Sequence, residues 1–203
     1  MKKTAVSHKP GDIIEIAGKK FVVLDDLSPF SEESEGHDLL ILSLESQGES
    51  RFGENNNYAE SELRRRTAAW LDDLLDHGVD PDLIRSRTID LTTLDGHGEY
   101  GTLEVKAAPL TLDEARKYAK VIPNCDDACW LATGWGGPEH YGATSALGVS
   151  TNGYWNYSGC SSSYGIRPAL VISSFLLPSE NEPDLSEVST EDLLEEVRRR
   201  IGE

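Results

Sequence analysis

Residues 165–173 read Gly-Ile-Arg-Pro-Ala-Leu-Val-Ile-Ser, and this stretch decides how the chain folds. The apolar run from Ala169 to Ile172, preceded by a glycine and a proline, predicts a buried strand. Arg167 stands directly before Pro168, where a guanidinium among apolar residues needs hydrogen-bond partners. We therefore expect Arg167 to be largely buried or hydrogen-bonded near the end of the last core strand.

The first part of the chain carries similar strand signals. Asp12–Ile16 and Lys20–Leu24 flank the turn pair Ala17-Gly18, a pattern that predicts a β-hairpin. Asp38–Leu44 is continuously apolar at its centre and predicts a buried strand. The polar, glycine-containing segments are predicted to be loops: Ser28–His37, Ser46–Asn57 and Asp95–Gly101.

Two segments have the patterns of helices. Apolar residues recur at helical spacing after Tyr58, and the pattern predicts a helix that stops at Gly78 with Trp70 on its buried face. Thr111–Lys120 is the second predicted helix, because Thr111 and Glu114 form a capping box at its start.

The chain has 203 residues, enough for one domain of ordinary size and a tail. We assign residues 1–175 to the domain, 176–188 to an acidic linker, and 189–203 to an amphipathic C-terminal helix. Two roles are open for that helix. It docks on the domain's own core, or it joins copies of the chain into a homo-oligomer.

The net charge of -17 bears on possible partners. Nucleic acids and anionic membranes repel so acidic a chain, so we expect neither as a partner. The sequence shows no secretory signal and no apolar stretch near the ~20 residues that cross a bilayer. We expect the protein in the cytoplasm or in a phage particle.

The cysteines are Cys125, Cys129 and Cys160, an odd number in a chain without a secretory signal. This favours free, partly buried thiols over a disulfide framework, and structural zinc is not expected.

The histidines are scattered, and none has a histidine partner at helical metal-binding spacing. His97 lies close to Asp95 and Glu99 in a glycine-rich loop. We interpret this loop as solvated rather than as a metal or acid–base cluster. We therefore predict no catalytic residue, no metal and no cofactor, and we expect a protein that is not an enzyme.

The composition changes from Trp130 to Tyr164, where tyrosine, tryptophan, serine, glycine and asparagine dominate. Residues 140–166 contain no Asp, Glu, Lys or Arg. Rigid aromatic rings with adaptable polar neighbours are typical of antibody-like binding surfaces. We expect one exposed binding face; the alternative is a glycine-rich core with the rings turned inward. The candidate ligand-binding residues are Trp135, His140, Tyr141, Asn152, Tyr154, Trp155, Asn156, Tyr157 and Tyr164.

Several motifs, in order along the chain, resemble known families. Gly165–Leu170 is similar to the terminal Gly-aromatic-Arg-Pro motif of C-type-lectin-like proteins. These include formylglycine-generating-enzyme-like domains and the variable proteins of diversity-generating retroelements. The other motifs resemble an uncharacterised domain family of gut Firmicutes and their phages: Gly11–Ile13, Asn57–Arg64, Leu110–Ala115 and Cys129–Thr133.

The resemblance implies an α+β, C-type-lectin-like fold, with a twisted antiparallel sheet, two flanking helices and long irregular loops. It also implies recognition of a protein or glycan through a variable loop surface. Two other functions stay open. One is an enzyme that uses the Cys160 thiol or a metal at His97. The other is a structural or assembly protein.

Overall fold

A computed structural model describes residues 8–27 and 38–174 of the chain. The predicted loop at 28–37, the acidic linker at 176–188 and the helix at 189–203 lie outside these described residues. The described part is a mixed α+β structure built mostly of antiparallel sheets, with two α-helices.

The helices are α1 (Glu62–Asp76) and α2 (Leu112–Lys117). The strands are β1 (Ile13–Ile16), β2 (Lys19–Asp26), β3 (Asp38–Ser43), β4 (Glu49–Arg51), β5 (Ile84–Arg85), β6 (Arg87–Asp90), β7 (Thr102–Val105), β8 (Ala107–Ala108), β9 (Cys129–Gly134), β10 (Ser145–Val149), β11 (Trp155–Gly159), β12 (Ser163–Gly165) and β13 (Ala169–Ser173).

The first sheet has the order β1-β2-β3-β13-β5, and β8 also pairs with β13. The predicted hairpin of β1 and β2 is confirmed, and its turn residues Ala17 and Gly18 both have positive φ. The predicted buried strands are β3 and β13, which pair in antiparallel register with Leu40 opposite Val171. Residues 169–173, the end of the stretch quoted first, therefore form an internal strand of this sheet, with neighbours on both sides.

The alternating side chains of β3 and β13 divide the core into two layers. Leu39, Ile41 and Leu170 face α1, where they pack with Trp70 and Leu74. The intervening residues face α2 and the second sheet, and they belong to a cluster that includes Leu40, Leu42, Leu112, Leu131, Leu147 and Val171. The first sheet is thus covered on both faces.

Arg167 is 6% exposed, which confirms the expectation of a buried guanidinium. Its Nε donates a hydrogen bond to the carbonyl of Ser43 at 2.8 Å, and its Nη1 donates to the carbonyl of Pro123 at 3.0 Å. Its Nη2 donates to the carbonyl of Leu44 at 3.3 Å. Burial lowers the pKa of Arg167 below the ordinary value of arginine. These bonds join the start of β13 to two distant segments of backbone.

The second sheet has the order β11-β10-β9-β12-β4. Its pairs are antiparallel except for β12 and β9, which are parallel where Gly165 lies opposite Cys129. The prediction that 46–57 is all loop is wrong, because β4 pairs with β12 through Ser50 and Tyr164. That pairing partner is remote in sequence, so no local signal indicates it. The glycine- and serine-rich residues 130–164 are not all irregular loop, because they contain most of β9 and β12 and all of β10 and β11.

Both predicted helices are present with adjusted ends. A short 3-10 turn at Tyr58–Glu60 precedes α1, whose N-cap is Ser61, and Gly78 follows α1 with a φ of 92°. The capping box of α2 forms as expected, but α2 ends at Lys117 rather than at Lys120. Within residues 8–27 and 38–174, no helix combines the length and apolarity needed to span a membrane.

Candidate functional site

Strand β11 forms one edge of the second sheet and carries exposed rings. Trp155 is 45% exposed, Tyr157 is 52% exposed, and Tyr154, just before the strand, is 73% exposed. Trp135, which follows β9, is half-buried beside them. We call Trp135, Tyr154, Trp155 and Tyr157 the aromatic edge.

The register of β10 and β11 explains why two of these rings share a face. Trp155 lies opposite Val149 and Tyr157 lies opposite Leu147. Directly paired residues project to the same side of a sheet. Leu147 and Val149 belong to the core layer next to α2. Because β11 is the outermost strand, its two rings extend past that layer and stay in contact with solvent.

Contacts with neighbouring side chains hold the rings of the aromatic edge. The ring centres of Trp135 and Tyr157 are 3.8 Å apart at an interplanar angle of 63°. The guanidinium carbon of Arg116, on α2, lies 5.6 Å from the centre of the Trp155 ring. Rings that are already oriented lose less conformational entropy when a ligand binds.

The turn between β10 and β11 places one further predicted residue, Asn152, next to the aromatic edge. The backbone amide of Ser150 donates to the carbonyl of Tyr154 at 2.8 Å. Gly153 has a φ of 80°, a conformation that other residues adopt at a cost. The side chain of Asn152 accepts a hydrogen bond from the backbone amide of Tyr154 at 3.3 Å. Asn152 and Tyr154 therefore lie at the tip of the hairpin.

Asn156 and Tyr164 lie on the opposite face of the sheet. Asn156 pairs with Gly148, and Gly148 pairs with the buried Trp130. Tyr164 is half-buried and stacks on Trp130 with ring centres 4.5 Å apart. The nine predicted residues therefore do not share one face, because β-strand geometry sends alternate side chains to opposite sides.

His140 and Tyr141 belong to a separate loop, residues 136–142, that reaches the aromatic edge through Trp135. Gly142 packs so closely on this ring that an added Cβ would lie 2.2 Å from its Cδ1 atom. Tyr141 is 97% exposed, and His140 is also exposed.

A buried amide supports this loop from beneath. The Nδ2 group of Asn56 lies within hydrogen-bonding distance of the carbonyls of Gly136, Gly142 and Ser145, at 2.9, 3.2 and 3.0 Å. Its Oδ1 atom accepts a hydrogen bond from the hydroxyl of Tyr100 at 2.6 Å. One side chain thus fixes both ends of the loop that carries His140 and Tyr141.

His140 does not stand alone, because its ring stacks on that of His97 with ring centres 3.7 Å apart. Glu99 lies beside both histidines: its Oε1 atom is 3.2 Å from His97 Nδ1 and 3.9 Å from His140 Nε2. We call His97, Glu99 and His140 the histidine cluster. The sequence predicts only a solvated loop at 95–101. The approach of His140 from a distant loop instead brings a second imidazole beside His97 and Glu99.

A cavity of about 230 Å³ opens next to the aromatic edge, between α2 and the two sheets. Leu42, Ala115 and Leu131 are among its apolar walls, and Trp155 lines it where it meets the exposed surface. Cys125, Cys129 and Arg167 also line it. The cavity therefore offers apolar space with a few polar groups, as small-ligand sites commonly do.

The cysteines are free thiols, as predicted. The sulfur atoms of Cys125 and Cys129 are 3.7 Å apart. Burial raises the pKa of Cys160 to about 12, and burial and the neighbouring Cys125 also raise the pKa of Cys129. Both groups are protonated near neutral pH, and a protonated thiol is a poor nucleophile. The burial and raised pKa of Cys160 give no support to a thiol enzyme that uses this residue.

Comparisons of the chain with protein-family models, with curated proteins and with solved structures found no match. What the site does is therefore inferred from its own side chains.

Sequence reasoning missed three contributors to this region. Arg116 lies within the predicted helix Thr111–Lys120, but the sequence does not indicate that its guanidinium lies against the Trp155 ring. Asn56 lies in the predicted loop Ser46–Asn57. It supports residues 136–142 through contacts that a local sequence pattern does not reveal. Glu99 was noted beside His97, but nothing in the sequence brought His140 to it. The adjacent glycines at 136 and 137 were the only available signal of a close loop contact.

Proposed function

We propose that this chain is a ligand-binding module that recognises a protein or a glycan through the aromatic edge. The observation that carries the proposal is the alternation on β11, where Trp155 and Tyr157 project to one exposed side of an edge strand. Binding sites draw most of their affinity from a few such aromatic anchors.

The charge distribution supports the same function. The chain carries a net charge of -17, yet residues 140–166 contain no Asp, Glu, Lys or Arg. A neutral surface costs less to desolvate than a charged one. The surrounding negative charge discourages non-specific association between copies of the protein. A ligand is therefore favoured at the aromatic edge over other parts of the surface.

The finer assignment that we propose is a C-type-lectin-like fold, within which the chain acts as a variable protein of the retroelement-diversified kind. The resemblance of the Gly-Ile-Arg-Pro sequence at 165–168 to the terminal motif of such proteins supports this assignment. The position of that sequence is consistent with it, because Arg167 bonds to backbone near the start of a central strand.

The test removes the exposed rings without touching the core. A triple variant with Tyr154→Ala, Trp155→Ala and Tyr157→Ala is compared with wild type and with a matched control, Ile13→Ala/Leu27→Ala, which removes exposed apolar side chains of the first sheet. The full-length chain is first screened on a glycan array and against a displayed library of protein domains. Ligands from the screen are then titrated calorimetrically.

We expect the triple variant to bind at least about 100-fold more weakly than wild type, since hot-spot rings each contribute roughly 2 kcal/mol or more. The control is expected to bind like wild type, and all three proteins should keep the same circular dichroism spectrum. A screen without any ligand, or a ligand whose affinity survives the triple substitution, overturns the proposal.

A further inference from the structure

The histidine cluster has the composition and spacing of a transition-metal site. One potential ligand atom from each of His97, Glu99 and His140 lies within 4.8 Å of the other two. Two imidazole nitrogens and one carboxylate oxygen suit zinc and other first-row divalent ions, whereas calcium and magnesium prefer oxygen-only sets.

The separations between the ligand atoms are close to those of tetrahedral zinc, and the ring of His140 has to tilt to complete the site. Zinc bonds of about 2.0–2.1 Å place neighbouring ligand atoms about 3.3 Å apart. His97 Nδ1 and Glu99 Oε1 are 3.2 Å apart, and His140 Nε2 is 3.9 Å from the same oxygen. The rings of His97 and His140 meet at an angle of 27°, so the ring of His140 must tilt for both nitrogens to point at one ion. The side chain of His140 is 43% exposed, so its ring is not enclosed by the protein on all sides.

A second carboxylate lies near the other nitrogen of the His97 ring. Asp95 Oδ2 lies 4.0 Å from His97 Nε2, whereas Glu99 is next to Nδ1. The hydroxyl of Thr93 donates a hydrogen bond to Asp95 Oδ1 at 2.5 Å and so holds this carboxylate. A carboxylate near the distal nitrogen is the usual partner of a metal-binding histidine, because it fixes the ring and its tautomer.

The two loops that carry the cluster are fixed to each other by backbone contacts. The amides of Leu94 and Asp95 donate hydrogen bonds to the carbonyls of Gly134 and Trp135 at 3.0 and 3.3 Å. Gly137 packs against both histidine side chains, and a Cβ there would lie 2.9 Å from the Cβ of His97 and 2.9 Å from Cδ2 of His140. A larger residue at this position would push the histidines apart. The approach of the two rings is therefore built into the loop.

We infer that His97, Glu99 and His140 bind one zinc ion or a similar first-row divalent ion, with Asp95 as the positioning carboxylate. Three protein ligands leave a coordination position for water or for a ligand group. The inference is independent of the proposed function, since none of the three ligands belongs to the aromatic edge.

The test measures zinc binding to the full-length chain after removal of metals with a chelator. Zinc chloride is titrated calorimetrically, and cobalt(II) provides an absorption spectrum that reports tetrahedral coordination. The variants are His140→Ala and Glu99→Gln. The matched control is His77→Ala, which removes an exposed histidine beside the carboxylate of Asp73 at the C-terminal end of α1. A further control, Cys125→Ser/Cys129→Ser, removes the pair of thiols that lines the cavity as an alternative zinc site.

Wild type is expected to bind one zinc ion with a Kd in the micromolar range or tighter. His140→Ala and Glu99→Gln should each weaken binding at least about 30-fold, as expected when one of three ligands is lost. His77→Ala and the double cysteine variant should bind like wild type, and millimolar calcium should not compete. Weak binding of several ions by the acidic surface only, or one-to-one binding that survives His140→Ala, overturns the inference. Circular dichroism confirms that each variant is folded.

Discussion

The hydroxyl of Tyr100 donates a hydrogen bond of 2.6 Å to the side-chain oxygen of Asn56, and Asn56 is completely buried. The same amide supports residues 136–142 through its nitrogen. The loop with Tyr100 and the loop with Tyr141 are therefore joined by one side chain in the interior.

Replacing Asn56 with alanine should destabilise the domain by roughly 3 kcal/mol, because buried carbonyls and a hydroxyl lose their partner. Chemical denaturation followed by tryptophan fluorescence measures the change. The matched control is Asn55→Ala, whose exposed side chain accepts only one local hydrogen bond, from the amide of Asn57, and which should cost no more than about 1 kcal/mol. Equal stability of the two variants would show that the buried amide is dispensable.

Arg167→Ala should cost roughly 3 kcal/mol or more, since the carbonyls of Ser43, Leu44 and Pro123 lose their donor inside the protein. The control is Arg66→Ala, which removes a largely exposed arginine on α1. The Arg66 side chain comes no closer than 3.9 Å to the carboxylate of Glu62, so this ion pair is weak. Its effect should stay within about 0.5 kcal/mol. An Arg167→Ala protein as stable as wild type contradicts the role of the guanidinium in fixing β13.

Cys160 should react slowly with iodoacetamide at pH 8, because burial raises its pKa to about 12 and little thiolate is present. Two single-cysteine proteins allow a direct comparison. One keeps Cys160, and the other carries Ser161→Cys at the exposed neighbouring position after removal of the native cysteines. The exposed thiol should react at least about 100-fold faster. Similar rates for the two would indicate that Cys160 is accessible and ionised.

Asp25 should make stability depend on pH in the acid range. Burial raises the pKa of Asp25, but hydrogen bonds from Tyr118 at 2.8 Å and Lys117 at 3.0 Å outweigh burial and lower it overall. A lowered pKa in the folded state stabilises the protein above the unfolded pKa of about 3.9, and that contribution disappears as the pH falls through the folded value.

The free energy of unfolding of wild type and Asp25→Asn is to be measured from pH 7 to pH 2. The advantage of wild type should be constant above about pH 5 and should shrink at lower pH. Tyr118→Phe, which removes only one of the two bonds, should show a smaller pH dependence than wild type. A difference between wild type and Asp25→Asn that is unchanged at pH 2 would contradict this linkage.

The sequence predicts those elements whose signals are local. The apolar run of β13, the turn pair between β1 and β2 and the capping box at Thr111 all act within a few residues, and all are present. The missed strand β4 has the polar sequence Glu-Ser-Arg and owes its conformation to β12, far along the chain. Local patterns carry no information about such a partner.

The same distinction applies to the candidate site. Aromatic composition alone singled out Trp155 and Tyr157, but only the pairing of β10 with β11 shows that they share a side that Asn156 does not. The histidine cluster depends on two loops that meet at Gly137. A contact between distant loops has no periodic signature in the sequence, so His97 and His140 look unrelated there.

The position of β13 between β3 and the pair β5 and β8 has a consequence for synthesis of the protein. Arg167, just before β13, bonds to Ser43, which is 124 residues earlier in the chain. While the ribosome is still producing the middle of the chain, the hairpin of β1 and β2 and strand β3 are present without β13, the strand that pairs with β3. The first sheet closes only when β13 has emerged from the exit tunnel. Until then β3 has an unpaired edge lined by apolar side chains, a feature that promotes aggregation of nascent chains.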